Sequence, residues 1–317
     1  MPIRTDPSIM RAGLNELYRS SALLSVAVLL AFAPDSYLPM LARAFVVPAT
    51  ILLLLVAIMS MVRRRWWPAQ ASLLGAALTF VQVPLPMDLS PSRPSAWHFR
   101  VFHMNVLRSN TAYHEAIVQA MDSDADVVSV QEVSFEWAQA LCNGLGEHYP
   151  YVHIEPRTDC YGIALFSKHP FRRVRTVTLK DAPFIDALLD VGAGSVRLIA
   201  VHASSPTSHW NFQRRNEQLM FLGRYVVQAG PPTILVGDLN TVPWDQAFRK
   251  LCQRSGLRAL SPVLHRTWPA FGAFAVIPLD HVLVSKGICP VAVRIAPVRG
   301  SDHHALIADL RSEHHAH

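Results

Sequence analysis

The chain has little charge, few cysteines and none of several familiar enzyme motifs. Charged residues make up 16% of its 317 residues and hydrophobic residues 51%, whereas a soluble domain carries about 25% charge. The four cysteines form no C-x-x-C pair, which argues against a zinc ribbon and a dithiol redox motif. The sequence contains no G-x-x-x-x-G-K-S/T, G-x-S-x-G or H-E-x-x-H motif. An NTP-binding loop, a serine esterase and a zincin-type zinc enzyme are therefore disfavoured.

The low charge is most marked before residue 84, where three apolar runs cover residues 20–37, 44–61 and 66–83. Because a helix needs about 20 mainly apolar residues to cross a bilayer, residues 1–83 are predicted to form a membrane domain with three transmembrane helices. A cleaved signal peptide is the alternative for the first run. Residues 84–96 form a Pro- and Ser-rich linker, and residues 313–317 form a short His-rich tail.

The arginines predict the orientation of this membrane domain. Arg4, Arg11 and Arg19 precede the first run, and residues 63–65, all arginine, separate the second from the third. Since cytoplasmic loops are enriched in Lys and Arg, both regions are placed in the cytoplasm. Three crossings of the inner membrane then put the chain after residue 84 on the periplasmic or extracellular side. If the third run does not cross, that part of the chain faces the cytoplasm.

Residues 97–312 alternate between strand-like and helix-like patterns, which predicts a layered α/β catalytic domain. The helices are predicted at residues 111–122, at 209–229 and from Pro243 to about 253. The strands are predicted at residues 99–104, 127–130, 163–166, 174–179, 195–201, 233–236, 281–285, 291–295 and 305–310.

Polar residues recur at the ends of these predicted strands, where sheets open onto loops and build sites. Each alone has an ordinary explanation as a turn residue, a helix cap or a solvated charge. Their recurrence in order along the chain favours a common site. The residues are Asn105, Glu132, His202, Asp238, Asn240, Asp280, Asp302 and His303.

These side chains suit metal-assisted phosphoryl chemistry. Carboxylate and amide oxygens are the ligands that Mg²⁺ prefers, and Mn²⁺ is the alternative. A histidine oriented by a carboxylate can take a proton from water near neutral pH. His103 lies one pleat before Asn105 and points the same way, either to support the site from beneath or simply to pack under the sheet.

At these residues the sequence resembles the endonuclease/exonuclease/phosphatase superfamily. The resemblance runs from Phe99 to Leu310 and rests on the motifs VSVQEV, VGDLN, LDHVLVS and SDHHAL. It implies a four-layer α/β sandwich of two packed mixed β-sheets flanked by helices, here preceded by an all-α transmembrane region. It also implies that Glu132 ligates the metal, with Asn105 beside it and Asp302 nearby.

The same resemblance implies catalytic roles for His202, Asp238, Asn240, Asp280 and His303. Asp238 would orient or deprotonate the attacking water, and Asn240 would hold a phosphate oxygen. His303 would act as the base or as a phosphate stabiliser, with Asp280 orienting it. His202 would contact the phosphate or the leaving group. The choice of base between Asp238 and His303 stays open.

Three apolar segments before such a domain resemble a bacterial membrane branch associated with glycopeptide resistance and undecaprenyl-pyrophosphate metabolism. The leading interpretation is a Mg²⁺-dependent phosphoric ester hydrolase at the lipid bilayer, acting on a lipid-linked phosphate or pyrophosphate. One alternative is a membrane-tethered nuclease acting on DNA or RNA, and another is a non-catalytic scaffold. The cations that a nuclease would use are Arg157, Lys168, Arg172, Arg173, Arg214 and Arg215.

Overall fold

The computed structural model describes residues 7–84, 98–192, 194–226, 230–260 and 265–312. The chain divides into two compact units, Met1–Pro84 and Leu85–His317. The first unit holds helices, and every described strand belongs to the second. The predicted linker, apart from Pro84, and the predicted tail lie outside the described residues.

The described residues of the first unit, 7–84, form four helices where three were predicted. They are α1 Pro7–Phe32, α2 Tyr37–Ala44, α3 Val46–Val62 and α4 Trp66–Phe80. The prediction was wrong in the first run, which breaks after Phe32. Pro34 disfavours a helical residue before it, and the Arg43 guanidinium holds the freed Ala33 carbonyl at 2.8 Å.

No single helix among the described residues combines the length and hydropathy of a membrane span. The pair Gly13–Phe32 and Tyr37–Ala44 meets that test together but is bent by 109°, and Val46–Val62 is a shorter apolar helix.

The second unit contains fourteen strands and four helices in its described part. In chain order they are β1 His98–Asn105, α5 Tyr113–Asp122, β2 Val127–Gln131, α6 Phe135–Leu145, β3 Tyr151–Glu155, β4 Ile163–Ser167, β5 Phe171–Leu179, β6 Ala182–Asp190, β7 Ser195–Val201, α7 His209–Tyr225, β8 Thr233–Asp238, α8 Gln246–Ser255, β9 Arg258–Ala259, β10 Trp268–Phe271, β11 Phe274–Ile277, β12 Asp280–Val284, β13 Ile288–Pro297 and β14 His304–Ser312.

Twelve of the strands form two mixed sheets. The first sheet has the order β13-β14-β1-β2-β4-β3, and the second has the order β5-β6-β7-β8-β12-β9. Each sheet has one parallel pair near its centre, β1–β2 in the first and β7–β8 in the second, with antiparallel neighbours on both sides. The strands β10 and β11 form a separate hairpin.

Apolar side chains between the sheets hold them face to face. Val101 and Leu165 of the first sheet share one buried cluster with Leu198 and Val236 of the second. Helices α5 and α6 cover the outer face of the first sheet, and α7 and α8 cover that of the second. The predicted arrangement of two packed mixed sheets flanked by helices is confirmed.

The inner faces of the sheets turn polar near the ends of the parallel strands. On β1, Phe99 and Val101 belong to the apolar cluster, whereas His103 and Asn105 continue the same face and are fully buried. Because β1 and β2 are parallel, their carboxyl ends lie at the same edge of the first sheet. The carboxyl ends of β7 and β8 likewise lie together at one edge of the second sheet. Asn105, Glu132, His202, Asp238 and Asn240 lie at or just after the ends of these four strands, whereas Asp280 begins β12 and Asp302 and His303 precede β14.

Candidate active site

Asn105 and Glu132 meet at the ends of β1 and β2. Asn105 Nδ2 donates to Glu132 Oε1 at 3.1 Å and approaches Asp238 Oδ2 at 3.4 Å. The Asn105 side-chain oxygen accepts from the Leu107 amide at 3.0 Å, and Glu132 Oε2 accepts from the Arg108 amide at 3.0 Å. Glu132 has a φ of 62°, a left-handed backbone that costs energy in a non-glycine residue and is characteristic of functional sites.

Gln131 ties the first sheet to the second directly beneath this pair. Its side-chain amide donates to the Val201 carbonyl at the end of β7, and its oxygen accepts from the Asp238 amide at 2.9 Å. Gly237 makes room for this contact, because a Cβ there would lie 1.9 Å from the Val201 oxygen and 2.4 Å from Gln131 Nε2. The residue before Glu132 therefore positions the backbone of Asp238.

Asp238 and Asn240 are held by a tight turn after β8. Asp238 Oδ1 accepts from the Asn240 amide at 2.8 Å, and Asn240 Nδ2 donates to the Ala203 carbonyl at 3.0 Å. Arg215 of α7 is fully buried and reaches under the turn, where it donates to the Asn240 carbonyl and pairs with Asp245, each at 3.0 Å. The turn is therefore fixed from both sides.

Asp280 lies opposite Asp238 in the antiparallel β8–β12 register. Its Oδ2 accepts from His303 Nδ1 at 2.8 Å, and its Oδ1 lies 2.9 Å from His103 Nε2. The Thr267 hydroxyl accepts from the Asp280 amide at 3.1 Å. His103 therefore does more than pack under the sheet, because its ring contacts a residue of the site, Asp280.

Four of the predicted residues converge on one point. The Nε2 atoms of His202 and His303 each lie 3.7 Å from Asp238 Oδ2. One donor atom each from Asp238, Asp280 and His303 lies within 4.8 Å of the other two, and all three residues are buried. Glu132 joins this group through Asn105, which contacts both Glu132 and Asp238.

Burial and mutual charge shift the protonation of this cluster. Burial and the charge of Asp280 raise the pKa of Asp238 to about 8. Burial alone would lower the pKa of His303, but the charges of Asp280 and Asp238 raise it to about 10. Burial opposes the charge on Asp280 too, yet its two histidine partners hold its pKa well below the usual value. Burial lowers the pKa of His202.

Asp302 is held by the β10–β11 hairpin. Its Oδ2 accepts from the Trp268 indole at 2.9 Å, and its carbonyl accepts from the Ala270 amide at 2.8 Å. Its charge also contributes to the raised pKa of His303. The structure thus ties Asp302 to the β10–β11 hairpin, while Glu132 and Asn105 are joined to each other.

Sequence reasoning did not reveal the site contacts of Gln131, Arg215, Thr267 and Trp268. The first two carried a usable signal, because Gln131 ends a buried apolar strand and Arg215 lies on the core-facing side of α7, near Leu219 and Leu222. A polar residue on a buried face needs a partner. Thr267 and Trp268 gave no signal for these contacts, since the hairpin that Trp268 begins has no clear pattern in the sequence.

The part of the chain that holds this site matches a known protein family. Residues 103–303 match the model of the Endonuclease/Exonuclease/phosphatase family. None of the curated protein sequences compared with the chain matches it.

Solved structures share the fold of the second unit. The endonuclease/exonuclease/phosphatase from Beutenbergia cavernae DSM 12333 is 20% identical, with a TM-score of 0.55 over 68% of this chain and 72% of that one. Sphingomyelinase C from Streptomyces griseocarneus is 19% identical, with a TM-score of 0.51 over 68% and 99%. D. rerio TDP2 complexed with single strand DNA product is 16% identical, with a TM-score of 0.56 over 68% and 99%.

Proposed function

The chain belongs to the endonuclease/exonuclease/phosphatase family, and on that premise we propose that it is a metal-dependent phosphoester hydrolase acting at a membrane. The observation that carries the proposal is the buried convergence of Asp238, Asp280 and His303 at the ends of the inner strands. Clusters of buried titratable groups that shift one another's pKa values are characteristic of catalytic sites.

In the proposed reaction, the ionised form of Asp238 orients the attacking water and accepts its proton, and its pKa of about 8 makes it a stronger base than an ordinary carboxylate. His303 faces Asp238 with Nε2 because Asp280 holds its Nδ1. The imidazolium that Asp280 favours donates to a phosphate oxygen or to the leaving group as the phosphorus–oxygen bond breaks. His202, whose Nε2 lies 3.7 Å from Asp238 Oδ2, contacts the same phosphate. Asn240 holds a further phosphate oxygen.

The donor set fits a hard divalent cation, Mg²⁺ or Mn²⁺. Glu132 offers a half-buried carboxylate whose oxygens each accept one hydrogen bond and keep free lone pairs. Asn105 donates its amide nitrogen to Glu132. We therefore assign Asn105 to orienting that carboxylate. Asp302 keeps one oxygen clear of the Trp268 indole. A bound cation would polarise the phosphate and neutralise its developing charge.

The first unit supports action at a lipid bilayer. Its packed interior holds small and polar residues, including Ala27, Gly75 and the hydrogen-bonded pair Thr50 and Thr79. Its outward face carries large apolar side chains, including those of α3. Helix bundles in lipid show this distribution. We therefore place the unit in the inner membrane, as in the membrane-anchored bacterial branch, with the catalytic unit on the periplasmic or extracellular side.

A lipid-linked phosphate or pyrophosphate is the substrate class that we favour over nucleic acid. A membrane unit confines the site beside an amphiphilic substrate and raises its effective concentration. The cations that a nuclease would direct at a phosphate backbone are already engaged, since each lies within 4.0 Å of a carboxylate. They are Arg157, Lys168, Arg172, Arg173, Arg214 and Arg215.

Phosphate release by the full chain in detergent tests the proposal. With Mg²⁺ present, we expect release from undecaprenyl pyrophosphate, loss of release with EDTA, and a turnover about 10²- to 10³-fold lower in Glu132→Ala. Glu147→Ala, which removes an exposed carboxylate outside the site, should leave turnover unchanged. Metal-dependent plasmid nicking without phosphate release from the lipid would show that the protein is a nuclease. Absence of activity on phosphate esters of every class would refute the proposal that the protein is a phosphoester hydrolase.

A further inference from the structure

Asp280 is bound by two imidazoles, one on each carboxylate oxygen. His303 Nδ1 holds Oδ2 at 2.8 Å, and His103 Nε2 holds Oδ1 at 2.9 Å. The side chains of His103 and Asp280 are fully buried. The two histidines come from opposite ends of the described catalytic unit, His103 from β1 and His303 from the turn before β14.

The two contacts have different consequences for the carboxylate. A single hydrogen bond to Oδ2 would leave Asp280 able to rotate about its last bond, because that torsion is broad. The second bond, from His103, removes this freedom. The position of Oδ2 then fixes the ring of His303 and aims its Nε2 at Asp238, 3.7 Å away.

The environment of His103 shows that its contact with Asp280 is its main polar interaction. Within the described part of the chain, His103 Nδ1 is buried and has no hydrogen-bond partner. Burying a polar ring here lowers the stability of the fold, because it takes the place of an apolar side chain that would extend the inter-sheet cluster of Phe99 and Val101. The hydrogen bond to Asp280 offsets this loss of stability.

We propose that His103 is a positioning residue of the active site, which locks Asp280 through a donated Nε2–H bond and thereby sets the orientation of His303. The inference rests on the proposed function for its kinetic test, but its geometry can be tested without turnover. The role requires that residue 103 carry a hydrogen-bond donor at the position of Nε2, facing Asp280 Oδ1.

Two neutral substitutions separate this role from ordinary packing. Glutamine can place its amide nitrogen near the position of histidine Nε2, whereas asparagine is too short to do so. We expect His103→Gln to keep kcat within about threefold. His103→Asn should lower kcat by about 10- to 100-fold, the usual effect of removing a supporting hydrogen bond behind an active-site group. KM should stay unchanged in both variants.

The control is a second histidine–carboxylate pair of the catalytic unit. His169 Nε2 lies 2.8 Å from Asp126 Oδ1, outside the active site, so His169→Asn should leave kcat unchanged. Equal kcat in His103→Gln and His103→Asn, whether high or low, would overturn the proposal. If the asparagine variant does not fold, His103→Met has the shape of glutamine without its donor and takes its place.

The Nδ1 proton of His303, observed by NMR in the full chain, gives a readout that needs no substrate. Its downfield resonance should persist in His103→Gln and shift or broaden in His103→Asn. If the wild-type chain hydrolyses no phosphoester but the resonance behaves in this way, the proposed function fails and the positioning role stands. If both variants leave the resonance as in the wild type, the positioning role fails whatever the activity.

Discussion

At the scale of single residues, the catalytic unit buries carboxylates for two different purposes. Asp238 and Asp280 face each other and the histidines of the site. Asp186 on β6 is also fully buried, but its partners are cations and a hydroxyl. Arg197 donates to it at 2.9 Å, Arg175 at 3.1 Å, and the Tyr225 hydroxyl at 2.6 Å. The first arrangement brings titratable groups close together, whereas the second joins neighbouring strands and α7.

The ion pairs of Asp186 predict how stability depends on pH. Burial raises the pKa of Asp186, but Arg197 and Tyr225 outweigh it and hold that pKa below 3.8. Because the folded-state pKa is lowered, the contribution to stability is complete above the unfolded value of 3.8 and is lost as the pH falls below it. Asp186→Asn should therefore destabilise the catalytic unit at pH 7, by roughly 3 kcal/mol, and by less at about pH 3.

Asp190 on the same strand provides the control for this prediction. It forms an exposed pair with Arg172 at 2.8 Å, and exposed pairs contribute little to stability. Thermal unfolding of both variants between about pH 3 and pH 7 would measure the difference. Equal destabilisation by Asp186→Asn and Asp190→Asn would show that the buried network has no special part in stability.

At the scale of elements, the site depends on how closely β2 approaches β7 and β8. Gly237→Ala would place a Cβ against the Val201 carbonyl and Gln131 Nε2, and a φ of 146° adds strain for any L side chain. Since β7 and β8 are hydrogen-bonded neighbours in one sheet, their backbones cannot move apart without breaking that pairing, and we expect a loss of more than about 3 kcal/mol. Activity should fall as well, because Gln131 would lose its hold on the Asp238 amide.

Gly256 gives a matched comparison for that substitution. It ends α8 with a φ of 71°, and no neighbouring atom lies within 4 Å of the place that a Cβ would take. Gly256→Ala should therefore cost only the left-handed backbone penalty, about 1–2 kcal/mol. Urea unfolding of the two variants would rank them. A smaller loss in Gly237→Ala than in Gly256→Ala would mean that the approach of the sheets is less tight than the structure indicates.

The sequence predicted the parallel strands at the centre of each sheet but missed several other strands, including β3 and β9 at sheet edges and β6 inside the second sheet. Strands β1, β2, β7 and β8 are buried on both faces, so their apolar runs and polar ends are clear in the sequence. The edge strand β3 and the two-residue β9 are partly exposed and have no such pattern. Strand β6 was missed because the turn before it uses Lys180 and Asp181, both with positive φ, in place of glycine.

The same distinction applies to the site. The eight predicted residues lie at or near strand ends, where a short turn by itself does not require so many carboxylates and histidines. The contacts that position them cross from one sheet to the other, as from Gln131 to Asp238 and from His103 to Asp280. Pairs so far apart along the chain have no signature in one sequence, so the packing of the sheets was needed to reveal them.

At the scale of the whole molecule, the N-terminal unit has an apolar outward face and a partly polar interior. The catalytic unit has an apolar interior between its sheets. In the N-terminal unit, Thr50, Ser60, Ser72 and Thr79 are buried together with small apolar residues and Leu53, whereas Leu52, Leu54 and Leu55 of α3 face outward, with Leu55 58% exposed. A water-soluble helix bundle has the reverse distribution. The outward apolar surface is therefore expected to contact lipid.

A charge at Leu55 tests that expectation directly. The residue lies in the middle of α3 and faces outward. In lipid, Leu55→Asp should cost about 2.5–3.5 kcal/mol and reduce the amount of protein recovered in the membrane fraction. Val118→Asp on α5 of the catalytic unit, where an apolar side chain is also exposed, should leave recovery unchanged, because that helix is expected to face water. If Leu55→Asp instead yields a detergent-independent protein with unaltered stability, the outward face of the first unit contacts water and the proposed site of action at a bilayer is wrong.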